Sequence, residues 1–209
     1  MNARTENYRE RLVRRGLRLE YLTLGWNLLE AAVAVGAGVV SGSIALVGFG
    51  VDSAIEMSSG AILLWRLASD REEEKRERIE ARALKLVGVS LLALAVYVAA
   101  EAARSLIERE APHPSYVGIA IAAAALFVMP LLARAKRRVA ARIESRALVA
   151  DSRQSDICAW LSAILLVGLA LNALFGWWWS DPAAALLMVQ IIAKEGIEAL
   201  RGERSCSCG

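Results

Sequence analysis

The sequence predicts an all-α integral membrane protein, a bundle of six transmembrane helices. Six apolar stretches each approach or exceed the ~20 residues that a helix needs to cross the hydrocarbon core of a bilayer. Short connectors separate the stretches, and several connectors are densely charged. An apolar fraction of 56% also suits a soluble all-helical bundle, but the distribution of the stretches favours the membrane. They cover residues 19–40, 44–67, 84–106, 115–133, 148–175 and 181–200.

The first predicted helix follows a basic segment, residues 1–18, in which basic and apolar residues alternate. Such a segment is typical of an amphipathic lead-in at an anionic cytoplasmic membrane surface. No apolar run with a small-residue cleavage site follows the charges at the usual distance, so we do not expect a cleavable signal peptide. The short turn Ser41–Ser43 makes the first two helices antiparallel neighbours.

The later connectors are of two kinds. Two are strongly charged, Ser69–Arg82 and Arg134–Arg146. The others are loops: one holds His113, the only histidine, between two prolines, and one holds the run Trp177–Trp179. The Trp run suits the aromatic belt at a membrane–water boundary better than a ligand platform. We expect His113 to be a loop residue rather than a metal ligand.

The distribution of basic residues predicts the orientation of the bundle. By position, 22 of the 25 Lys and Arg residues fall in residues 1–20, 66–85, 134–146 and after 193, all on one side of the predicted bundle. The opposite loops hold only Arg104 and Arg109. Because basic loops stay in the cytoplasm, both termini are expected there, with the protein in the cell (inner) membrane. The net charge of +3 therefore reflects topology, and we expect no nucleic-acid partner.

Two carboxylates interrupt the second apolar stretch. Asp52 and Glu56 are four residues apart and therefore share one face of the helix. Ionisable residues at membrane depth are costly and indicate function, and a bound cation would offset the repulsion between two neighbouring acids. The alternative is that Glu56 reaches the interface or pairs with a basic residue, but no Lys or Arg lies between residues 19 and 65. The pair predicts a cation site.

A second polar insertion lies in the fifth stretch. Gln154 and Cys158 are again four residues apart, Asp151 lies one turn earlier, and Asp156 points to another face. An amide oxygen, a thiolate and a carboxylate together suit a divalent first-row metal. The thiolate favours zinc, or soft iron and cadmium, over magnesium and calcium. A lone buried Cys is more often a small apolar residue, and only the acids of the second helix make Cys158 a candidate ligand.

These two insertions resemble the motifs of the cation diffusion facilitator transporters. The stretch SGSIALVGFGVDSAIEMSSG is similar to the family's second helix, with Asp52 and Glu56 on its two metal-ligand positions. The stretch ADSRQSDICAWLSAILLVGL is similar to the fifth helix, where Gln154 and Cys158 stand in place of the family's His and Asp. Asn27 and Glu30 suit the first helix and Asp181-Pro182 the start of the sixth, so the likeness covers about residues 20–200.

The resemblance implies a six-helix transporter that exchanges a divalent metal for protons at a tetrahedral site near the midplane, by alternating access. It also implies a homodimer, held here through Gly- and Ala-rich helix faces. Two features depart from the family: the His-rich loop between helices four and five is replaced by a basic one, and no cytoplasmic metal-binding domain follows helix six. The sequence is therefore identified as a short, divergent member.

The sequence thus predicts a divalent transition-metal transporter and not an enzyme. Its partners are the bilayer, the metal and protons; zinc is the expected ion, with Fe²⁺, Mn²⁺ and Cd²⁺ as alternatives. The predicted metal ligands are Asp52, Glu56, Gln154 and Cys158, with Asp151 secondary. A non-transporting metal sensor or accessory subunit is the alternative function, and an ion channel suits a thiolate site poorly because metal would leave it slowly.

The predicted domains are the lead-in 1–18, the transmembrane domain 19–200 and a cytoplasmic tail 201–209 that carries Cys206 and Cys208. One geometric condition follows from helix length. Counted from an end at Leu174, the fifth-helix ligands lie about 24–30 Å deep, against roughly 12–18 Å for the second-helix acids. The two pairs therefore meet only if helix five leaves the membrane near residue 168 or tilts.

Overall fold

A computed structural model describes residues 3–68, 73–143 and 146–201, and within these ranges all regular structure is α-helical. Consecutive helices run antiparallel, so the beginning of α1 and the end of α6 lie at the same end of the bundle. Cys206 and Cys208 lie outside the described residues. The helices are α1 (Ala3–Ser41), α2 (Ile44–Ala68), α3 (Glu73–Glu108), α4 (Tyr116–Ile143), α5 (Arg146–Phe175) and α6 (Ser180–Arg201).

Several helices extend beyond the predicted apolar stretches into the charged connectors. The basic N-terminal segment is the first part of α1 rather than a separate element. Likewise, α4 continues through the basic sequence to Ile143. The sequence pattern marked where the apolar residues end, but good helix formers such as Ala, Arg and Glu allow the helix to continue into the polar region.

The α1–α2 turn and the start of α2 are fixed by small polar residues. Gly42 has φ of 73°, a left-handed conformation that glycine adopts without steric cost. The Ser43 hydroxyl accepts a hydrogen bond from the Leu46 amide at 3.1 Å, which caps α2. Asp181, from the first turn of α6, accepts from the Ser43 hydroxyl at 2.5 Å and from the Ile44 amide at 3.0 Å. The first turns of α2 and α6 are therefore bound together.

The helices pack as a core with an apolar outer surface. Helix α1 packs against α2 and α4, and α5 packs against α4, α6 and α2. Helix α3 packs along α6 and also contacts α2. Inside, the largest fully buried apolar side chains include Phe49, Leu91 and Leu161. Large apolar side chains also cover the outside, where hydrocarbon would solvate them. They include Val96, Phe127, Leu131, Trp160, Val167 and Leu174.

Four helical segments are long and apolar enough to cross a membrane on length and composition alone. They are Arg11–Ser41, Lys85–Glu108, Tyr116–Arg142 and Asp151–Phe175. Helices α2 and α6, which carry the charged residues described below, pack among these four. The predicted all-α, six-helix membrane fold is confirmed.

The end of α5 extends beyond the neighbouring helices, and this brings the two predicted pairs of ligands together. The Ser180 hydroxyl at the start of α6 donates to the carbonyl oxygen of Gly168 at 2.9 Å. Since α6 and α2 begin side by side, Gly168 lies level with the first turn of α2. From that level, Glu56 lies about 18 Å along α2 and Gln154 about 21 Å along α5, at 1.5 Å per residue. Glu56 and Gln154 therefore lie at similar depths in the bundle.

Candidate metal centre

The acid pair of α2 faces the interior of the bundle. Asp52 and Glu56 are 1% and 6% exposed, and they lie one helical turn apart on the same face. Lipid-facing positions of the same helix would leave either carboxylate in hydrocarbon, at a cost of several kcal/mol. Helix α2 instead directs both towards α1, α5 and α6.

Glu56 is the centre of a hydrogen-bond network that joins three other helices. Nε2 of Gln154 donates to Oε1 of Glu56 at 2.8 Å, and Nδ2 of Asn27 donates to Oε2 at 3.4 Å. The Gln154 amide also lies 3.4 Å from Oε2 of Glu195 on α6. The register predicted for the fifth helix, with Gln154 opposite the acid pair, is thus present.

Cys158 lies one turn from Gln154 and is fully buried. Its Sγ is 3.7 Å from Oε2 of Glu30, a fully buried carboxylate of α1. The Ser53 hydroxyl donates to the same Glu30 oxygen at 2.9 Å. The thiol therefore faces the acidic interior of the bundle.

The resulting cluster is strongly acidic. The Glu56 carboxylate interacts electrostatically with those of Asp52, Glu195 and Glu30, so four helices contribute a buried polar or acidic group. Carboxylates at this depth repel each other when ionised, and a cation or bound protons offset that repulsion. We call Glu30, Asp52, Glu56, Cys158 and Glu195, with the amides of Asn27 and Gln154, the acidic cluster.

Sequence reasoning did not assign Glu30, Asn27 or Glu195 to the site. The signal for Glu30 and Asn27 was available, because both interrupt an apolar stretch and the resemblance placed them in the first helix. Glu195 gave no such signal. It lies near Lys194 and Glu198 at the end of α6, where charged residues ordinarily mark the interface.

The cluster requires a side-chain rearrangement to coordinate an ion. Within the described residues, no three His, Cys, Asp or Glu side chains are close enough together to share one metal. Gln154 presents its NH₂ group to Glu56, whereas a metal ligand must present an oxygen. Rotation of the Gln154 amide would exchange the donor for an acceptor and release Oε1 of Glu56.

The remaining candidates of α5 pair with basic residues of α4. Asp151 forms an ion pair with Lys136, and Asp156 forms one with Arg137. Asp151, predicted as a secondary ligand, is thus not drawn into the acidic cluster. Asp156 faces away from the cluster, as the sequence predicted.

A small cavity is lined both by Asp151 and by residues of the acidic cluster. Its volume is about 10 Å³, roughly what one water molecule requires. Its lining mixes carboxylates and amides from α1, α2 and α5. The polar lining residues are Glu20, Thr23, Asn27, Glu56, Asp151 and Gln154, with Ser155 beside them.

Residues 21–204 match the model of the cation efflux transmembrane domain, which is nearly the whole described chain. The chain belongs to the cation efflux family. The predicted membership of a cation-transporter family is confirmed, and that family is not one of enzymes.

Three curated relatives are similar to this cation efflux chain. An uncharacterized transporter of Synechocystis sp. is 28% identical over 79% of this chain and 55% of its own length. Transmembrane protein 163 of Xenopus laevis is 26% identical, over 93% of this chain and 68% of the relative. An uncharacterized transporter of Methanocaldococcus jannaschii is 25% identical, over 83% and 63% respectively. The chain thus spans between about half and two thirds of these relatives.

Within a cation efflux domain, the two replacements on α5 change the chemistry of the predicted site. By the resemblance of the fifth-helix motif, Gln154 stands where the family has a His and Cys158 where it has an Asp, so an amide and a thiol replace an imidazole and a carboxylate. The structure places these side chains together, and their role as ligands remains a prediction.

Proposed function

We propose that this chain moves a divalent transition-metal cation across the membrane and that protons travel in the opposite direction. The observation that carries the proposal is the acidic cluster, in which buried groups from α1, α2, α5 and α6 meet at Glu56. Family membership supports the same function.

Exchange for protons follows from the chemistry of the cluster. Carboxylates and thiols coordinate a metal only after they lose their protons, so metal binding releases protons and metal departure allows them to return. Several buried carboxylates would carry too much uncompensated negative charge to remain fully ionised when no cation is bound. The ion and the protons therefore compete for the same oxygens, which is the basis of antiport.

Zinc is the ion that best suits the cluster. Zn²⁺ binds thiolate sulfur and carboxylate oxygen in a four-coordinate arrangement, and the cluster holds Cys158 beside several acids. Mg²⁺ and Ca²⁺ prefer oxygen ligands alone. Cd²⁺, Fe²⁺ and Mn²⁺ remain the alternatives, in falling order of their preference for sulfur.

Uptake into proteoliposomes tests this proposal. Purified protein should move Zn²⁺ into vesicles at a rate that rises with an imposed pH gradient and saturates with metal concentration. Mg²⁺ should not compete. Zinc bound without transport would identify a sensor, and a flux that ignores the pH gradient and does not saturate would identify a channel.

We propose that the bundle spans the inner membrane with both termini on the cytoplasmic side. The excess of Lys and Arg at the end that holds the termini supports this orientation. A cysteine at position 113, replacing His113, should react with a membrane-impermeant maleimide in intact cells. A cysteine replacing Lys75 should react only after the cells are opened. The reverse pattern would contradict the orientation.

A homodimer is proposed as the transporting unit. The sequence of α1 carries Ala32, Gly36 and Gly38, and Gly36 has open space around the position of an added Cβ. Small residues let two membrane helices approach closely. Gly38 is already used within the chain, where it lies against Val47 of α2.

A further inference from the structure

The most unusual charge in the bundle is Lys136 of α4. Its side chain is 0% exposed, and its ammonium contacts Oε2 of Glu20 on α1 at 3.4 Å and Oδ2 of Asp151 on α5. A buried ammonium is costly unless acidic partners compensate for the lost water. Here two carboxylates from different helices perform that role.

The charges of this group do not balance. Glu20 and Asp151 interact with each other as well as with Lys136. When ionised, two carboxylates and one ammonium leave one net negative charge in a site from which water is nearly excluded. Glu20 is 0% exposed, and its Oε1 accepts no hydrogen bond from residues 3–68, 73–143 or 146–201. A divalent cation would balance both carboxylates and would supply the missing partner of that oxygen.

One small cavity is lined by residues of this group and by residues of the acidic cluster. Glu20 and Asp151 line one part of it, and Glu56 and Gln154 line another. Asn27 also lines this cavity, and it lies on α1 roughly 10 Å from Glu20 along the helix axis. Its Oδ1 is also buried and has no donor within the described ranges, although its Nδ2 donates to Glu56. Two buried oxygens without donors therefore line the same cavity.

We propose that Glu20 and Asp151 form a second cation site, and that Lys136 occupies it as a tethered counter-ion in the metal-free protein. A divalent ion binds there when the ammonium withdraws, beside the small cavity that Asn27 and Glu56 also line. The place of this site on a transport path rests on the proposed function, whereas its ability to bind a cation does not.

The ligands of the second site set its preference. Two carboxylates without a thiol bind hard divalent ions such as Mn²⁺ through charge and oxygen coordination. They distinguish only weakly between one divalent ion and another. The acidic cluster adds the sulfur of Cys158. The second site would therefore admit divalent ions in general, and selection would occur at the cluster.

A purely structural ion pair is the competing explanation, and metal binding separates the two. The test uses the full chain in mild detergent with Glu56→Gln, which disables the acidic cluster, and Mn²⁺ as the probe, counted by electron paramagnetic resonance of the free ion. Adding Lys136→Met or Lys136→Gln should create one bound Mn²⁺ per chain, with affinity at least tenfold above that of the Glu56→Gln parent. Adding Glu20→Gln should abolish the gain.

The matched control is Arg137→Met in the same background. Arg137 also pairs with an acid of α5, Asp156, but both side chains of that pair are more than a third exposed. It should give no gain in Mn²⁺ binding. Equal binding in the Lys136 variants and their parent would overturn the proposal.

Folding of the Lys136 variants is itself informative, because the proposed ion replaces the ammonium. If they fold only when Mn²⁺ is present during purification, the second site is supported. If they fail to fold with or without Mn²⁺ while Lys136→Arg folds, Lys136 is structural and the proposal is wrong. Since no transport is measured, these results stand apart from the uptake assay, which alone decides the proposed function.

Discussion

Replacing Glu56 by glutamine should abolish metal uptake and leave a folded protein in the membrane. The amide is nearly the same size and still offers one oxygen to Gln154, so packing is retained while the charge proposed to hold the ion is lost. Even outer-shell partners of metal ligands typically change affinity by roughly 10–100-fold. Uptake should therefore fall by more than about a hundredfold in proteoliposomes. Asp52→Asn should behave in the same way.

Stability provides the second readout of this experiment. Removing one of several buried carboxylates also removes its desolvation cost and its repulsion, so the metal-free Glu56→Gln protein should unfold at an equal or higher temperature. Asp156→Asn is the control, because Asp156 pairs with Arg137 outside the acidic cluster. It should leave uptake within about twofold, as surface ion pairs contribute little. Loss of uptake together with a lower unfolding temperature would instead indicate a structural role for Glu56.

Replacing Cys158 by serine should change which metal is preferred. The hydroxyl keeps the size of the side chain but removes the soft sulfur, so zinc loses a favoured ligand while manganese loses little. We expect the zinc concentration for half-maximal uptake to rise about tenfold and that for manganese to stay within about twofold. Competition between the two metals in one vesicle preparation measures the difference directly.

Gln154→Ala is a useful companion, because it removes a neutral oxygen and should weaken both metals alike and less than loss of an acid. Equal effects of Cys158→Ser on zinc and manganese would show that the thiol packs but does not coordinate. A severe loss with Asp156→Ala, beside no effect of Cys158→Ser, would contradict the assigned face of α5.

The acid pair of α2 was predictable because an ionisable residue in an apolar run has few purposes, and a spacing of four residues places two of them on one face. Its opposition to Gln154 followed from the resemblance. Glu195 was not predictable, because its burial depends on α3 and α5 covering the end of α6. The sequence offers no local sign of that packing.

Lys136 shows the same limit more sharply. It is one of several basic residues in Arg134–Arg146, a segment whose composition indicates only which side of the membrane it faces. Its burial arises because α4 continues as a helix beyond the apolar stretch and meets Glu20 at the start of the apolar part of α1. Hydropathy describes residues one at a time, whereas this contact joins positions 116 residues apart.

Asp181 joins the first turn of α6 to the first turn of α2, and this limits how the two helices can move relative to each other. Because its carboxylate holds the first turn of α2, those two helix ends act as a fulcrum at the end of the bundle away from the termini. Glu56 lies about 18 Å along α2 from this point, and Glu195 lies about 21 Å along α6 from it. Rotating α2 by about 10° around the fulcrum carries the Glu56 carboxylate roughly 3 Å. Zinc–oxygen bonds are about 2.0–2.2 Å long, so under the proposed function a swing of this size would be enough to make or break a bond between Glu56 and the ion.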